Sequence, residues 1–220
     1  MRPWRSAPNA QLGMPAYKWP NNPTSEIVDF EKRHPDPEAG ALLQWAVVFV
    51  ESLHYLDDID SEYEATRQVL GDHHPDFVDL THVRWGTSTS ITALDLGVAA
   101  LPRSLGGYGG PRELDVGDFN TTKPSKAVLA VTSVMPLSAM QWIQAIPLDP
   151  NYPVVNDVRH ALTHRRLLRH LHMSAGSSAP EPRLGLSVNG AAVPARELVE
   201  KARDLATAQI SKIVTLLPHL

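Results

Sequence analysis

P-V-V-N-D-V-R-H-A-L-T-H-R-R-L-L-R-H-L-H, residues 153–172, is the stretch whose reading decides the fold expected for this chain. Val154, Val158, Ala161, Leu162, Leu168 and Leu171 recur at three- and four-residue spacing, which makes one apolar stripe along a helix of 3.6-residue period. One face of that helix is buried. The other faces carry Arg159, His160, His164, Arg165, Arg166, Arg169, His170 and His172. A guanidinium offers a fixed charge and planar donors to phosphate oxygens, and an imidazole gives or takes a proton near neutral pH. The combination suits phosphate chemistry.

Around this stretch the composition is unremarkable in charge: 20 Lys and Arg stand against 24 Asp and Glu over 220 residues, a net charge of -4. No general attraction to nucleic acid follows, so any such attraction must be local. Residues 157–172 supply a local excess, with Arg159, Arg165, Arg166 and Arg169 against Asp157 alone. Cysteine is absent, which excludes disulfides, cysteine-ligated zinc and thiol nucleophiles and fits a reducing cytoplasm. The longest apolar run, residues 41–50, is too short to span a bilayer, and the N-terminal residues have no signal-peptide character. The expected location is cytoplasmic, with no membrane partner and no cofactor.

The chain length allows one sizeable domain with a tail. Pro3, Pro8, Pro15, Pro20, Pro23, Pro35 and Pro37 crowd residues 1–37, too densely for a regular element, so this part reads as an N-terminal arm. Its Trp4, Tyr17 and Trp19 suit it to lie against the domain or a partner, and its removal is expected to spare the chemistry. Residues 38–220 read as one helical domain. Residues 38–56 are apolar nearly all round, as in a helix buried on several sides. The acidic run D-D-I-D-S-E-Y-E at 57–64 fits a solvated helix end better than a calcium loop, whose required glycine and glutamate are missing. A paired-carboxylate magnesium site would need a second acidic motif, which the chain lacks. G-D-H-H-P-D at 71–76 is a turn, and its two histidines are weak metal ligands without a third at helical spacing. Thr87 to Ser90 offer hydroxyl caps for a helix running to about Leu105. The glycine-rich loop at 106–111 lacks the lysine and preceding strand of a phosphate cradle. A helix broken near Pro136 follows, then a rigid linker, with Pro153 in the first turn of the helix quoted above. Asn189-Gly190 within 184–193 signals a β-hairpin, and 194–217 form a long amphipathic helix. The expected architecture is all-α, a bundle of about five helices with a small hairpin before the last.

In such a bundle, Arg159-His160-x-x-x-His164 on the penultimate long helix resembles the signature of the HEPN superfamily: an arginine, a polar residue, and a histidine after four to six intervening positions. Arg67 with His73, Arg165 with His170 and Arg166 with His172 also meet the bare spacing. Arg159 is singled out by its polar successor and its place early in a striped helix. Histidine at 160 departs from the commoner asparagine, a departure the family's pattern permits.

The resemblance implies a homodimeric, metal-independent endoribonuclease with one composite cleft where two motif helices meet, of the kind found in defence and toxin–antitoxin systems, where a protein antitoxin restrains the enzyme. Elementary geometry agrees, because groups five residues apart lie about 140° apart around a helix and one copy points them away from each other. A two-fold axis can bring an arginine and a histidine of each chain round one phosphate. The implied roles are proton transfer by His164, charge stabilisation by Arg159, orientation by His160, and RNA backbone contacts by Arg165, Arg166 and Arg169. No metal is required. The competing reading is a non-catalytic interaction or RNA-binding subunit whose basic helix is a solvated face. A helical metal enzyme using the acidic run and the histidine pairs is the third.

Overall fold

The computed structural model describes residues 17–71, 76–163, 170–174, 182–188 and 190–220. Its helices are α1 (Pro23–Arg33), α2 (Pro37–Leu53), α3 (Ile59–Leu70), α4 (Asp76–Gly106), the single-turn α5 (Val116–Phe119), α6 (Lys126–Thr132), α7 (Leu137–Ala145), α8 (Asn151–Thr163) and α9 (Ala195–Leu216). Between α8 and α9 lie β1 (His170–Ser174), β2 (Pro182–Val188) and β3 (Ala191–Pro194). The chain is an all-α bundle with a small antiparallel sheet.

The bundle is built round α4, a 31-residue helix against which α2, α9, α8 and α3 all pack. Its small and apolar residues explain that position. Gly86, Ala93, Gly97, Ala99 and Ala100 let neighbours approach, and Val83, Ile91, Leu94, Val98 and Leu101 fill the space between them. A Cβ at Gly97 would stand 3.2 Å from both Trp142 and Ile210, so α7 and α9 come in where a side chain is missing. Trp142 then donates its Nε1–H to the Gln209 carbonyl at 2.9 Å. Gly107, at φ +60°, closes the C-terminus of α4 in the left-handed conformation that favours glycine.

The expected start of this helix is corrected. It begins at Asp76, not at the hydroxyl cluster, and Thr87 lies in its middle with Oγ1 donating to the Val83 carbonyl at 2.8 Å. The N-terminal arm is corrected as well. Pro23 and Pro37 each occupy the first turn of a helix, where a missing N–H costs nothing. Asn22 caps α1 through Ser25 N, and Asp36 caps α2 through Glu38 N and Ala39 N, both at 3.0 Å. Ile27 and Phe30 of α1 are buried in the main core. Tyr17 stacks on His54 and shares a hydrogen bond with Ser211 at 3.0 Å, and Trp19 donates to Glu51 at 3.1 Å. The described part of the arm is therefore part of the domain.

The acidic run straddles a 3-10 turn (His54–Asp58) and the start of α3. Ile59 and Tyr63 face inward while Glu62 and Glu64 are largely exposed, as expected of a solvated helix end. The helix broken near Pro136 is present as α6 and α7.

The hairpin also stands, with Val188 paired to Ala191 and Gly190 at φ +82° in its turn. It is joined by β1, which pairs antiparallel with β2 so that His170 lies opposite Leu186 and His172 opposite Leu184. This corrects the expected helix over 153–172. Leu171 and the flanking histidines belong to a strand, because β2 offers an edge whose backbone groups a strand can satisfy and a helix cannot. Leu184, Leu186 and Val188 alternate inward from β2 onto Val83, Val158, Leu198 and Val199, forming a second, smaller core.

Candidate functional site

Helix α8 carries the motif. Asp149 sets its start, with Oδ1 accepting Asn151 N–H at 3.0 Å and Oδ2 accepting Gln209 Nε2 at 2.9 Å, which fastens the helix to α9. Val155, Val158 and Ala161 are its buried residues, and Val154 and Leu162 of the expected stripe are partly buried against the smaller core. Pro153 sits in the first turn as anticipated.

Arg159 is half-buried and His160, next along, is exposed. His164, Arg165, Arg166 and Arg169 lie outside the described residues. Of the motif, then, the arginine and its polar successor are placed, in the last two turns of α8.

The neighbours of Arg159 were not anticipated. On the facing helix, Asp95 stands where α4, α8 and the turn before α5 meet. Its Oδ1 accepts Val116 N–H at 3.3 Å. Burial pushes its carboxyl up to about 6; Asp115 and Asp118 add to the rise, while the Val116 N–H and the Arg159 guanidinium oppose it. Tyr152, seven residues before Arg159 and so on the same side of α8, lies within electrostatic reach of Asp95 and Arg159. Burial first, then the Asp95 and Asp115 charges, push its hydroxyl up to about 12, and Arg159 acts the other way. Tyr152 thus keeps its proton at neutral pH and remains a donor.

The turn that carries Asp115 and Val116 is stiff. Asp115 caps α5 through Asp118 N at 3.0 Å, and Asp118 returns the bond to Asp115 N at 3.0 Å, a capping box. Arg112 forks onto both oxygens of Asp118 at 2.8 and 2.5 Å. This ion pair raises the Arg112 pKa and helps to lower that of Asp118 against the effect of burial. The arrangement gathers a guanidinium, a phenol and a carboxyl held near pKa 6 within electrostatic reach of one another.

Asp95 had a signal in the sequence. It is the one carboxylate in the apolar series I-T-A-L-D-L-G-V-A-A-L, residues 91–101, and an acid there is a functional candidate on burial grounds alone. Only the fold brings Arg159 within electrostatic reach of it.

Other polar groups lie elsewhere. His82 is buried with Nδ1 2.9 Å from the Val78 carbonyl and Nε2 3.4 Å from Glu62. A groove of about 530 Å³ runs between α7 and α9, lined by Trp142, Ala145, Lys212 and Leu216 among others, and neither Arg159 nor His160 lines it. Among the described residues no group of three His, Asp or Glu is placed to hold a metal ion. In comparisons with known protein families, curated proteins and solved structures, none matches this chain.

Proposed function

We propose that this chain is a metal-independent endoribonuclease of HEPN type, acting as a homodimer. The observation that carries the reading is the setting of Arg159: half-buried on α8, with its charge felt by Asp95 and Tyr152, where an arginine of a merely solvated face would stand in water. A guanidinium so placed is suited to meet a phosphate as a planar donor.

The chemistry is attack of the RNA 2′-hydroxyl oxygen on the adjacent phosphorus. The P–O5′ bond breaks, and a 2′,3′-cyclic phosphate and a free 5′-hydroxyl remain. His164 takes part in proton transfer, and the imidazole of the second copy can serve the opposite step. Arg159 stabilises charge on the non-bridging oxygens, with Tyr152 as an added donor. His160 orients substrate, and Arg165, Arg166 and Arg169 hold the flanking backbone in a salt-sensitive, sequence-blind way.

The test compares wild type with Arg159→Ala and His164→Ala on labelled RNA in EDTA, with the oligomeric state of each measured in parallel. Cleavage to cyclic-phosphate ends by the wild type, lost by at least a hundredfold in both variants at unchanged oligomeric state, is the expected result. No cleavage by the wild type, or equal cleavage by the variants, ends the ribonuclease reading.

A second reading has its own observation. Helix α2 exposes Trp45 and Val48 on its outer face, and residues Pro37–Leu56 reach a mean hydropathy of 1.2, enough by length and composition to cross a membrane. An apolar outer face favours a binding role, that of a non-catalytic subunit of a larger assembly. Under that reading, Trp45→Glu abolishes association while Arg159→Ala leaves it intact.

A further inference from the structure

We propose that the groove between α7 and α9 is the seat of this chain's own N-terminal segment, residues 6–16, brought there by an anchor at Tyr17. The ribonuclease reading plays no part in this, since neither Arg159 nor His160 lines the groove.

Two facing stripes build the groove. Ser138, Gln141, Trp142 and Ala145 recur at three- and four-residue spacing along α7, and Ser211, Thr215 and Leu216 meet them from α9. Trp142 is almost wholly buried and donates its Nε1–H to the Gln209 carbonyl at 2.9 Å, so the floor is fixed. The open volume of about 530 Å³ falls within the range of preformed binding sites. From Ser138 to Ala145 the wall runs about 10 Å along the helix axis, the length of about three extended residues.

The chain is tethered at this same place. Tyr17, the first described residue, shares a hydrogen bond at 3.0 Å with Ser211, which itself lines the groove. The Tyr17 ring stacks on His54 with centroids 4.6 Å apart, and Trp19 meets it edge-on at 4.9 Å. His54 Nε2 is in turn 3.1 Å from Thr207 Oγ1, one helical turn before Ser211 on α9. The attachment point is therefore held on α9 and at the end of α2. A segment tethered beside a groove meets it at an effective concentration of about millimolar, so weak contacts suffice to seat it.

The composition of the tethered segment suits the groove. Residues 6–16, S-A-P-N-A-Q-L-G-M-P-A, carry no charge, so none is placed against Trp142, Ala145 and Leu216, while the exposed Lys212 at the rim stays in water. Leu12 and Met14 come shortly before the anchor and two positions apart, a spacing that an extended chain turns to one side. Pro8 and Pro15 lack an N–H, which fits walls made of helices whose backbone groups are already paired. Ser138 and Gln141 offer side-chain partners to the remaining backbone groups.

Because the chain has no cysteine, introduced pairs test this in the full-length protein. Met14→Cys is combined with Gln141→Cys in the groove or with Val69→Cys on α3, both exposed positions whose substitution leaves the core untouched. Disulfide formation is followed at micromolar protein on non-reducing gels. The groove pair is expected to close within one chain about tenfold faster than the α3 pair, and Leu12→Asp to remove most of that advantage. Equal rates for the two pairs overturn the proposal. A disulfide that joins two chains overturns it too, and gives the groove to a second copy. If Leu12→Asp leaves the rate unchanged, apolar seating of the segment is overturned.

Discussion

Asp79 and Asp95 sit on the same helix, four and a half turns apart, and each accepts a backbone N–H from a distant part of the chain: Leu184 of β2 for Asp79, Val116 of α5 for Asp95, both at 3.3 Å. Their surroundings differ. Asp79 is wholly buried beneath the sheet, among the residues of the smaller core, where it ties β2 to α4. Asp95 is only partly buried, with Asp115, Arg159 and Asp118 acting on its charge. The same hydrogen bond serves assembly at one end of α4 and, on our reading, the site at the other. A buried acid's role is thus set by the charges that share its pocket, more than by the bond it makes.

The comparison can be sharpened first by a change that should strike both ends alike. Phe30→Ala, or removal of residues 1–36, takes α1 packing from the main core, and in a cooperatively folded domain that loss reaches both ends of α4. The point variant is expected to lose about 3–5 kcal/mol in urea unfolding, with the truncation worse. A truncated protein that unfolds at the wild-type midpoint would break the view of α1 as core.

Next in size, Asp79→Ala leaves the buried Leu184 N–H unsatisfied and should cost about 1–3 kcal/mol. Hydrogen exchange should show faster opening of β1–β3, and activity per folded molecule should stay at the wild-type value. A loss of activity out of proportion to folded protein would erase the contrast with Asp95.

The smallest effect has the opposite sign. Asp95 holds its proton more tightly folded than unfolded, so its ionisation destabilises the fold as pH rises from about 4 to about 6 and by a constant amount above that. Asp95→Asn keeps a Val116 acceptor and removes the charge. Unfolding at pH 7.5 should show it more stable than wild type by about 2 kcal/mol, shrinking toward zero at pH 4. A destabilised Asp95→Asn at pH 7.5 would place Asp95 with Asp79 as an assembly residue.

Much of the fold could be read locally. The turn at Gly190, the break at Pro136, the Pro153 start and the final amphipathic helix depend on residues within a few positions of one another. Proline was legible but double-edged. Asn22-Pro23 and Asp36-Pro37 are a cap followed by a first-turn proline, so the same residues that suggested an arm start two helices. Of the site, Arg159 and His160 were legible as a motif on a helix, and Asp95 only as an acid in an apolar run.

The sequence by itself determined that this chain is a helical bundle with a hairpin before its last helix, because periodicity, caps and turn residues are local properties. Tertiary structure alone decided that residues 170–174 leave the expected helix to pair with β2, since the gain lies in another segment's free backbone groups. It alone decided, too, that Arg159 comes within electrostatic reach of Asp95 across 64 positions of sequence, for such neighbours are chosen by which helices pack together and in what register.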